Sequence, residues 1–140
     1  MLHGSCVRLH GRGVLILGPS GSGKSALCID LLGRGGWLVA DDAVDLTRHG
    51  AKLLARCPEP IRGQIELRGL GLARVPVAAC VQVHLVARLD EAFAKERLPA
   101  PASTGILGME LPLFYIAPHE HARMGSFVSA ALARYIREVQ

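Results

Sequence analysis

Residues 18–25 combine glycine, lysine and serine at a spacing that suits the binding of nucleotide phosphates. The segment reads Gly-Pro-Ser-Gly-Ser-Gly-Lys-Ser and fits the Walker A pattern. Glycines let backbone N–H groups face the phosphates, and the N-terminus of a following helix adds partial positive charge. We expect Lys24 to reach the β- and γ-phosphates and the Ser25 hydroxyl to ligate Mg²⁺. The predicted phosphate-binding residues are Gly18, Pro19, Ser20, Gly21, Ser22, Gly23, Lys24 and Ser25.

Two adjacent carboxylates, Asp41 and Asp42, follow the short apolar run Trp37–Ala40, which we interpret as a buried strand. A strand end beside a phosphate-binding loop is a place where a carboxylate can meet both a metal ion and an acceptor group. One acid can hold a metal or a neighbouring group while the other takes a proton from an attacking hydroxyl. A solvated turn is the plainer interpretation of the pair. Together with the loop, the pair favours a kinase over a nucleotide switch or a motor.

The segments around the loop predict a strand, a loop and a helix in succession. Val14–Leu17 is a short apolar run, and Cys6–Leu9 is expected to pair with it as a β-hairpin. Lys24–Leu32 carries apolar residues at helical spacing, and Gly33 supplies a stop signal. This order is the one that the Walker A mechanism requires.

The rest of the chain predicts a mixed sheet with few helices. The further predicted strands are Val44–Leu46, Lys52–Leu54, Gln64–Leu67, Val81–Val86 and, as an edge strand, Leu111–Ile116. The predicted helices are Asp90–Glu96 and the C-terminal Ser126–Val139, and Pro99–Gly108 is predicted to be an irregular loop. The fold class is therefore α/β, a single P-loop kinase domain with a mixed β-sheet and a C-terminal helix over residues 1–140.

Composition narrows the classes of partner. A length of 140 residues suits one domain, and 50% hydrophobic residues exclude disorder. The net charge of +4 comes from dispersed basic residues, so we expect no nucleic-acid partner. No apolar run approaches the ~20 residues of a membrane span, and the N-terminus lacks the layout of a signal peptide. We therefore expect a cytoplasmic protein with no membrane partner.

The cysteines and the paired histidines offer no clear metal site. The four cysteines lack a Cys-x-x-Cys pair, and their spacing matches neither a zinc site nor a disulfide framework. We expect most of them to be reduced core residues. His119 and His121 could chelate a metal, but without a third ligand at a suitable spacing they favour a polar loop.

Three stretches of the chain resemble the C-terminal catalytic domain of the bacterial HPr kinase/phosphorylase family. The first joins His3-Gly4 to the run Gly13–Ser25, and the second is Leu38–Val44, Leu-Val-Ala-Asp-Asp-Ala-Val. The third, Ile65–Leu72, reads Ile-Glu-Leu-Arg-Gly-Leu-Gly-Leu and is the most family-specific. They cover about the first half of the chain, and beyond Ala79 the match is looser.

The resemblance implies an ATP-dependent protein serine kinase that phosphorylates HPr, the phosphocarrier protein of the phosphotransferase system. It implies that Lys24 binds phosphate, that Ser25 binds Mg²⁺ and that Glu66 is a second metal ligand. Asp42 is similar to the acid that accepts the proton of the serine hydroxyl. If Asp42 is the proton acceptor, the other acid of the pair can hold the metal or a neighbouring group, so we count Asp41 among the metal ligands.

Two further residues are implied to be catalytic. His3 is similar to a histidine that positions or tunes the acid, and Arg97 resembles an arginine found late in the family's domain. The resemblance also implies a symmetric homo-oligomer and a short form that lacks the N-terminal domain of longer members.

Some positions depart from the family pattern. Pro19 replaces a frequent aspartate, so the loop has one backbone N–H fewer. The Pro-Gly-Arg-Asn segment linked to phosphorolysis has no clean match in residues 117–123. We therefore expect kinase chemistry more firmly than phosphorylase chemistry.

Two alternatives remain open at the level of sequence. A small-molecule P-loop kinase needs a lid over its acceptor, and Pro99–Gly108 is the candidate. A non-catalytic ATP-binding sensor would regulate a partner without turnover, which the intact Asp41–Asp42 pair disfavours.

Overall fold

The apolar runs form a large mixed sheet with a helix packed on one face. The computed structural model describes residues 1–58, 64–67, 71–90, 102–118, 125–126 and 128–132, with the backbone alone for residues 64–67 and 72–73. The strands are β1 (Leu2–His3), β2 (Ser5–Leu9), β3 (Arg12–Leu17), β4 (Trp37–Ala40), β5 (Ala43–His49), β6 (Lys52–Arg56), β7 (Gln64–Leu67), β8 (Gly71–Arg74), β9 (Cys80–Leu89), β10 (Ala102–Ile106) and β11 (Met109–Ile116). The helix α1 spans Lys24–Gly33, and residues 125–126 and 128–132 are also helical.

Strand β9 is the centre of the sheet. It pairs in parallel with β3 and β11 and antiparallel with β6. The strand order is β1-β5-β6-β9-β3-β2-β4, and β10 joins through β11. Strands β7 and β8 form a separate antiparallel hairpin.

Helix α1 begins and ends at glycines. Gly23 is the N-cap residue with φ 102°, a left-handed conformation that costs glycine little. At the other end, the N–H groups of Arg34 and Gly36 donate to the carbonyl of Leu31. A Cβ at Gly36 would lie 2.7 Å from that carbonyl oxygen, so only glycine fits this exit from the helix.

Each face of the sheet has its own apolar core. The face that α1 covers buries these residues: Val7, Leu9, Val14, Ile16, Leu27, Cys28, Leu31, Leu38, Leu85, Ala87, Leu89, Ile116, Val128 and Leu132. The opposite face buries Cys6, Leu15, Leu17, Val39, Ala40, Val44, Leu53, Ala55, Ala78, Val81, Val83, Val86, Leu111 and Leu113. Burial at roughly 25 cal/mol per Å² of apolar surface makes these two layers the main source of stability.

The C-terminal helical residues approach α1 closely at Gly125. Gly125 lies so near the Asp30 carboxylate that a Cβ there would overlap Oδ2. Asp30 is itself held by Arg34, whose Nε donates to Oδ2 at 3.0 Å. Val128 and Leu132, which follow Gly125 in the chain, are buried in the core beneath α1.

The predicted fold class is confirmed, with an α/β arrangement, a mixed sheet and few helices. The hairpin of β2 and β3, the helix after the loop, and β4 follow the expected bounds within one or two residues. Of the predicted C-terminal helix, the described residues are helical, while residue 127 and residues 133–139 lie outside the described part. The predicted helix Asp90–Glu96 also lies outside it, except for Asp90.

Two predictions about the second half of the chain are wrong. Ala102–Ile106, expected within an irregular loop, is the strand β10, which pairs with β11 across a turn at Leu107–Gly108. Leu111–Ile116 was expected to be an edge strand, but β11 lies between β9 and β10. The Pro, Ser and Gly content of the segment hid an alternating strand. Within the described ranges, no helix is long and apolar enough to cross a membrane.

Candidate phosphate-binding and catalytic site

Four strand ends meet at one edge of the sheet. Strand β2 is antiparallel to both β3 and β4, so His3-Gly4 at its start adjoins Gly18 after β3 and Asp41-Asp42 after β4. Strand β9 is parallel to β3 and pairs Arg88 with Leu17, so its end reaches the same edge. The fold therefore brings together the loop, the acid pair and the histidine that the sequence singled out.

The phosphate-binding loop is shaped by close contacts at its first glycine. A Cβ on Gly18 would lie 2.8 Å from Ser22 Oγ and 3.1 Å from the carbonyl oxygen of Leu89. Within the loop, the N–H of Ser22 donates to the Pro19 carbonyl at 3.1 Å. A side chain at position 18 would push the loop away from β9, which explains the glycine.

Lys24 is folded over the mouth of the loop. The residue is 8% exposed, and Nζ donates to the carbonyl oxygens of Gly18 at 2.7 Å and Pro19 at 2.9 Å. A lysine ammonium has three N–H donors, so these two hydrogen bonds hold the charge at the loop and use only two of the three donors. Lys24 can exchange weak carbonyl partners for phosphate oxygens, which are stronger ones.

Two serines of the loop region have contrasting surroundings. Ser22 Oγ is buried and has no hydrogen-bond partner among the described residues. Ser25, at the start of α1, is exposed, so its hydroxyl is open to a ligand. Lys24, the exposed Ser25 hydroxyl and the N-terminus of α1 together fit a nucleoside triphosphate with its divalent cation.

The two acids differ in how firmly they are held. Asp41 is half-buried, and Oδ1 accepts a hydrogen bond of 3.0 Å from Ser5, whose residue is 1% exposed. The Asp42 side chain is 87% exposed, and its Oδ1 lies 4.0 Å from Nδ1 of His3, which is 54% exposed. Asp42 has φ 78°, unusual outside glycine, and its carbonyl accepts the N–H of Gly4 at 3.1 Å. Asp41 is anchored, and Asp42 is turned out to solvent.

The thiols near the site are not nucleophiles. Burial, together with the charge of Asp41, raises the pKa of the Cys28 thiol to about 12, and the hydrogen bond with Ser5 partly opposes this rise. Burial also raises the pKa of Cys6 well above its ordinary value. All four cysteines are free thiols, as expected, and these two are buried. They stay protonated near neutral pH and serve as packing residues.

A cleft of about 240 Å³ opens beside the loop at the end of β9. Its walls include His3, Gly18, Pro19, Arg88 and Asp90. Sequence reasoning missed Arg88, because the predicted strand stopped at Val86. The signal that could have found it is its place directly after a strand adjoining the loop strand.

For some predicted site residues, the structure does not describe the side chain. The structure describes the backbone of Glu66 on β7 and not its side chain, and Arg97 lies outside the described residues. His119 and His121 lie outside them as well. Among described side chains, no three His, Cys, Asp or Glu residues are grouped closely enough to hold a metal.

Comparisons with known proteins agree with this geometry. The model of the HPr Serine kinase C-terminal domain matches residues 1–139. The HPr kinase/phosphorylase of Leptothrix cholodnii is 38% identical over 153 residues, covering 99% of this chain and 46% of that protein. The HPr kinase/phosphorylase of Cupriavidus necator is 36% identical over 148 residues, covering 96% and 45%.

A solved structure shares the architecture. The Hpr(Ser) kinase/phosphatase from Coxiella burnetii has a TM-score of 0.80 and 27% identity, covering 99% of this chain and 91% of that one. The chain spans less than half the length of the curated relatives it matches. The resemblance seen in the three sequence stretches is confirmed: this chain belongs to the family of the HPr serine kinase C-terminal domain.

Proposed function

We propose that this chain is an ATP-dependent protein serine kinase that transfers the γ-phosphoryl group of ATP to a serine of HPr. The observation that carries the proposal is the meeting, at one sheet edge, of the Lys24 loop and the Asp41–Asp42 pair. A loop alone would bind nucleotide, and the pair adds a base for an attacking hydroxyl. We place the reaction in the cytoplasm, with HPr as the partner of a homo-oligomer.

Nucleotide binding follows from the loop. The backbone N–H groups before α1 receive the phosphates, and Lys24 moves from the Gly18 and Pro19 carbonyls to phosphate oxygens. A bound Mg²⁺ would supply positive charge to offset the negative charge of the phosphates during transfer. Ser25, Asp41 and Glu66 are the residues we propose to hold it.

Asp42 is the proposed base. Its exposed carboxylate can reach a hydroxyl presented by a protein, and it accepts the serine proton as the serine oxygen attacks phosphorus. His3, 4.0 Å from Asp42, biases the orientation of that carboxylate. Ser5 fixes Asp41, so the two acids do not exchange roles.

Most of the rate arises from positioning and charge neutralisation, because phosphoryl transfer requires little covalent help from the enzyme. Lys24 supplies part of this charge, and Arg97 is proposed to supply more. The small-molecule kinase alternative is weakened, since Ala102–Ile106 of its candidate lid is a paired strand. We propose phosphorolysis of phosphorylated HPr as a second activity of the same site.

The test is single-turnover transfer from labelled ATP to purified HPr in the presence of Mg²⁺, followed by phosphoamino-acid analysis. We expect label in phosphoserine and none when Mg²⁺ is chelated. Firm ATP binding without any transfer would instead support the sensor. Light scattering of the purified protein tests the proposed oligomer.

A further inference from the structure

Arg88 lies at the end of β9, one strand away from the phosphate-binding loop. Its Cα is paired with that of Leu17, the residue that precedes Gly18. Arg88 lines the cleft together with Gly18 and Pro19, and it is half-buried there. The next residue, Leu89, is so close to Gly18 that it leaves little room for a Cβ at position 18. The arginine is therefore adjacent to the first residues of the loop.

The direction of the Arg88 side chain follows from its neighbours. Ala87 and Leu89 pack in the core under α1, whereas Val86 packs in the core of the other face. Because side chains alternate along a strand, Arg88 points to the face opposite α1. Lys24 reaches Gly18 and Pro19 from the α1 side. Two cations thus approach the same two loop residues from opposite faces of the sheet.

The Arg88 guanidinium has unused hydrogen-bonding capacity. Within the part of the chain that the structure describes, it makes no hydrogen bond or ion pair. Guanidinium has five donors in a fixed planar fork, a geometry that matches two phosphate oxygens. The Lys24 ammonium lies at Gly18 and Pro19, and the lysine of a Walker A loop binds the β- and γ-phosphates of the nucleotide.

We propose that Arg88 is a further catalytic residue that binds the terminal phosphoryl group of ATP. This inference rests on the proposed function. During transfer, the bond from γ-phosphorus to the ADP oxygen breaks, the bond to the serine oxygen forms, and the serine proton passes to Asp42. Arg88 binds the oxygens of the moving group and adds its positive charge to that of Lys24.

The experiment compares ATP with ADP, since only ATP has the terminal group. Calorimetric titrations and single-turnover transfer to HPr are measured for the unmodified protein, Arg88→Gln, Arg88→Lys and Arg56→Gln. Arg56 is a matched control, exposed and paired with Cys80 at the far end of β9. We expect Arg88→Gln to bind ATP about tenfold more weakly, to bind ADP normally, and to transfer about a hundredfold more slowly. Arg88→Lys keeps the charge and loses the fork, so its transfer falls less.

Other outcomes overturn the proposal. Arg88 has no such role if Arg88→Gln matches Arg56→Gln, or if ATP and ADP affinities fall equally. Thermal unfolding shows which variants are folded. If Arg88→Gln does not fold, Arg88→Lys is used as the test instead. A normal transfer rate in Arg88→Lys then overturns the proposal. No ATP binding by the unmodified protein overturns both proposals. ATP binding without transfer overturns the proposed function alone, while the ATP–ADP contrast still decides on Arg88.

Discussion

The nucleotide side and the acceptor side of the site are built differently. On the nucleotide side, Lys24 and Ser5 are less than a tenth exposed, and both donate hydrogen bonds that fix their partners. On the acceptor side, His3 and Asp42 are more than half exposed and face each other across 4.0 Å. On the nucleotide side these two side chains are already held by hydrogen bonds, whereas on the acceptor side His3 and Asp42 are open to solvent.

This difference matches the two proposed substrates. The phosphates of ATP have one geometry, and a preorganised cradle binds them with little reorganisation. A serine carried on a protein surface must approach through open solvent, which an exposed carboxylate permits. Changes on the buried side should therefore affect nucleotide binding, and changes on the exposed side should affect transfer.

The largest expected effect is on the buried side, with Lys24→Ala. Removing the ammonium should abolish measurable ATP binding, because its charge and the loop amides act together on the phosphates. Calorimetry with ATP gives the affinity. Lys52→Ala, an exposed lysine on β6, is the control and should bind ATP normally. Unchanged affinity in the Lys24 variant would refute the loop's assignment.

The next effect is on the exposed side, with Asp42→Asn. The amide keeps the size of the carboxylate and cannot accept the serine proton, so transfer should fall by ~10²–10⁴ while ATP still binds. Single-turnover transfer and nucleotide titration are measured in parallel.

Asp41→Asn is the matched comparison for the base. Because Asp41 is anchored by Ser5, its variant should disturb the metal or its neighbours, and with them nucleotide affinity. Near-normal transfer by the Asp42 variant, or identical defects in both variants, contradicts the division between the two acids.

Local patterns were enough to predict the nucleotide side of the site. The apolar run before Gly18, the Walker A spacing and the helical periodicity after Lys24 all lie within one continuous segment. Strand, loop and helix need no information from distant residues, so these elements were found with nearly correct ends.

Residues that depend on strand register could not be found this way. Ser5 meets Asp41 because β2 pairs with β4, and Arg88 meets the loop because β9 pairs with β3. Both pairings join segments distant in sequence, and one sequence has no signal for them. An arginine also interrupts the apolar run of β9, which made the strand look shorter. Ala102–Ile106 was missed because its turn-forming composition outweighed its alternation.

A smaller effect should come from the hydrogen bond between Ser5 and Asp41. Ser5→Ala leaves one carboxylate oxygen without its donor, so Asp41 can rotate away from the position we propose for metal binding. We expect the Mg²⁺ concentration for half-maximal transfer to rise by up to about tenfold. Ser5→Thr keeps the hydroxyl and should restore the dependence. A variant that is less stable but has the same Mg²⁺ dependence would make Ser5 purely structural.

The smallest effect concerns His84, which should influence stability and leave the site untouched. His84 is the extra residue where the register of β3 and β9 shifts, about 13 Å along the strand from Arg88. Burial lowers the pKa of His84, its hydrogen bond to the Gln82 carbonyl raises it, and the Arg12 charge lowers it. The unfolded chain then binds the proton more readily than the folded one. Stability is therefore kept above the ordinary histidine pKa of about 6.5 and declines as the pH falls below it.

Replacing His84 tests this sign. His84→Gln should flatten the fall in Tm as the pH drops below about 6.5, the ordinary pKa of histidine. His49→Gln, at an exposed turn, is the control and should leave that slope as it is. ATP affinity and transfer at neutral pH should stay normal in both variants, because neither residue lies at the edge that holds the loop. Loss of transfer in His84→Gln would show that the two ends of β9 are coupled, and the division into a buried and an exposed side would then be incomplete.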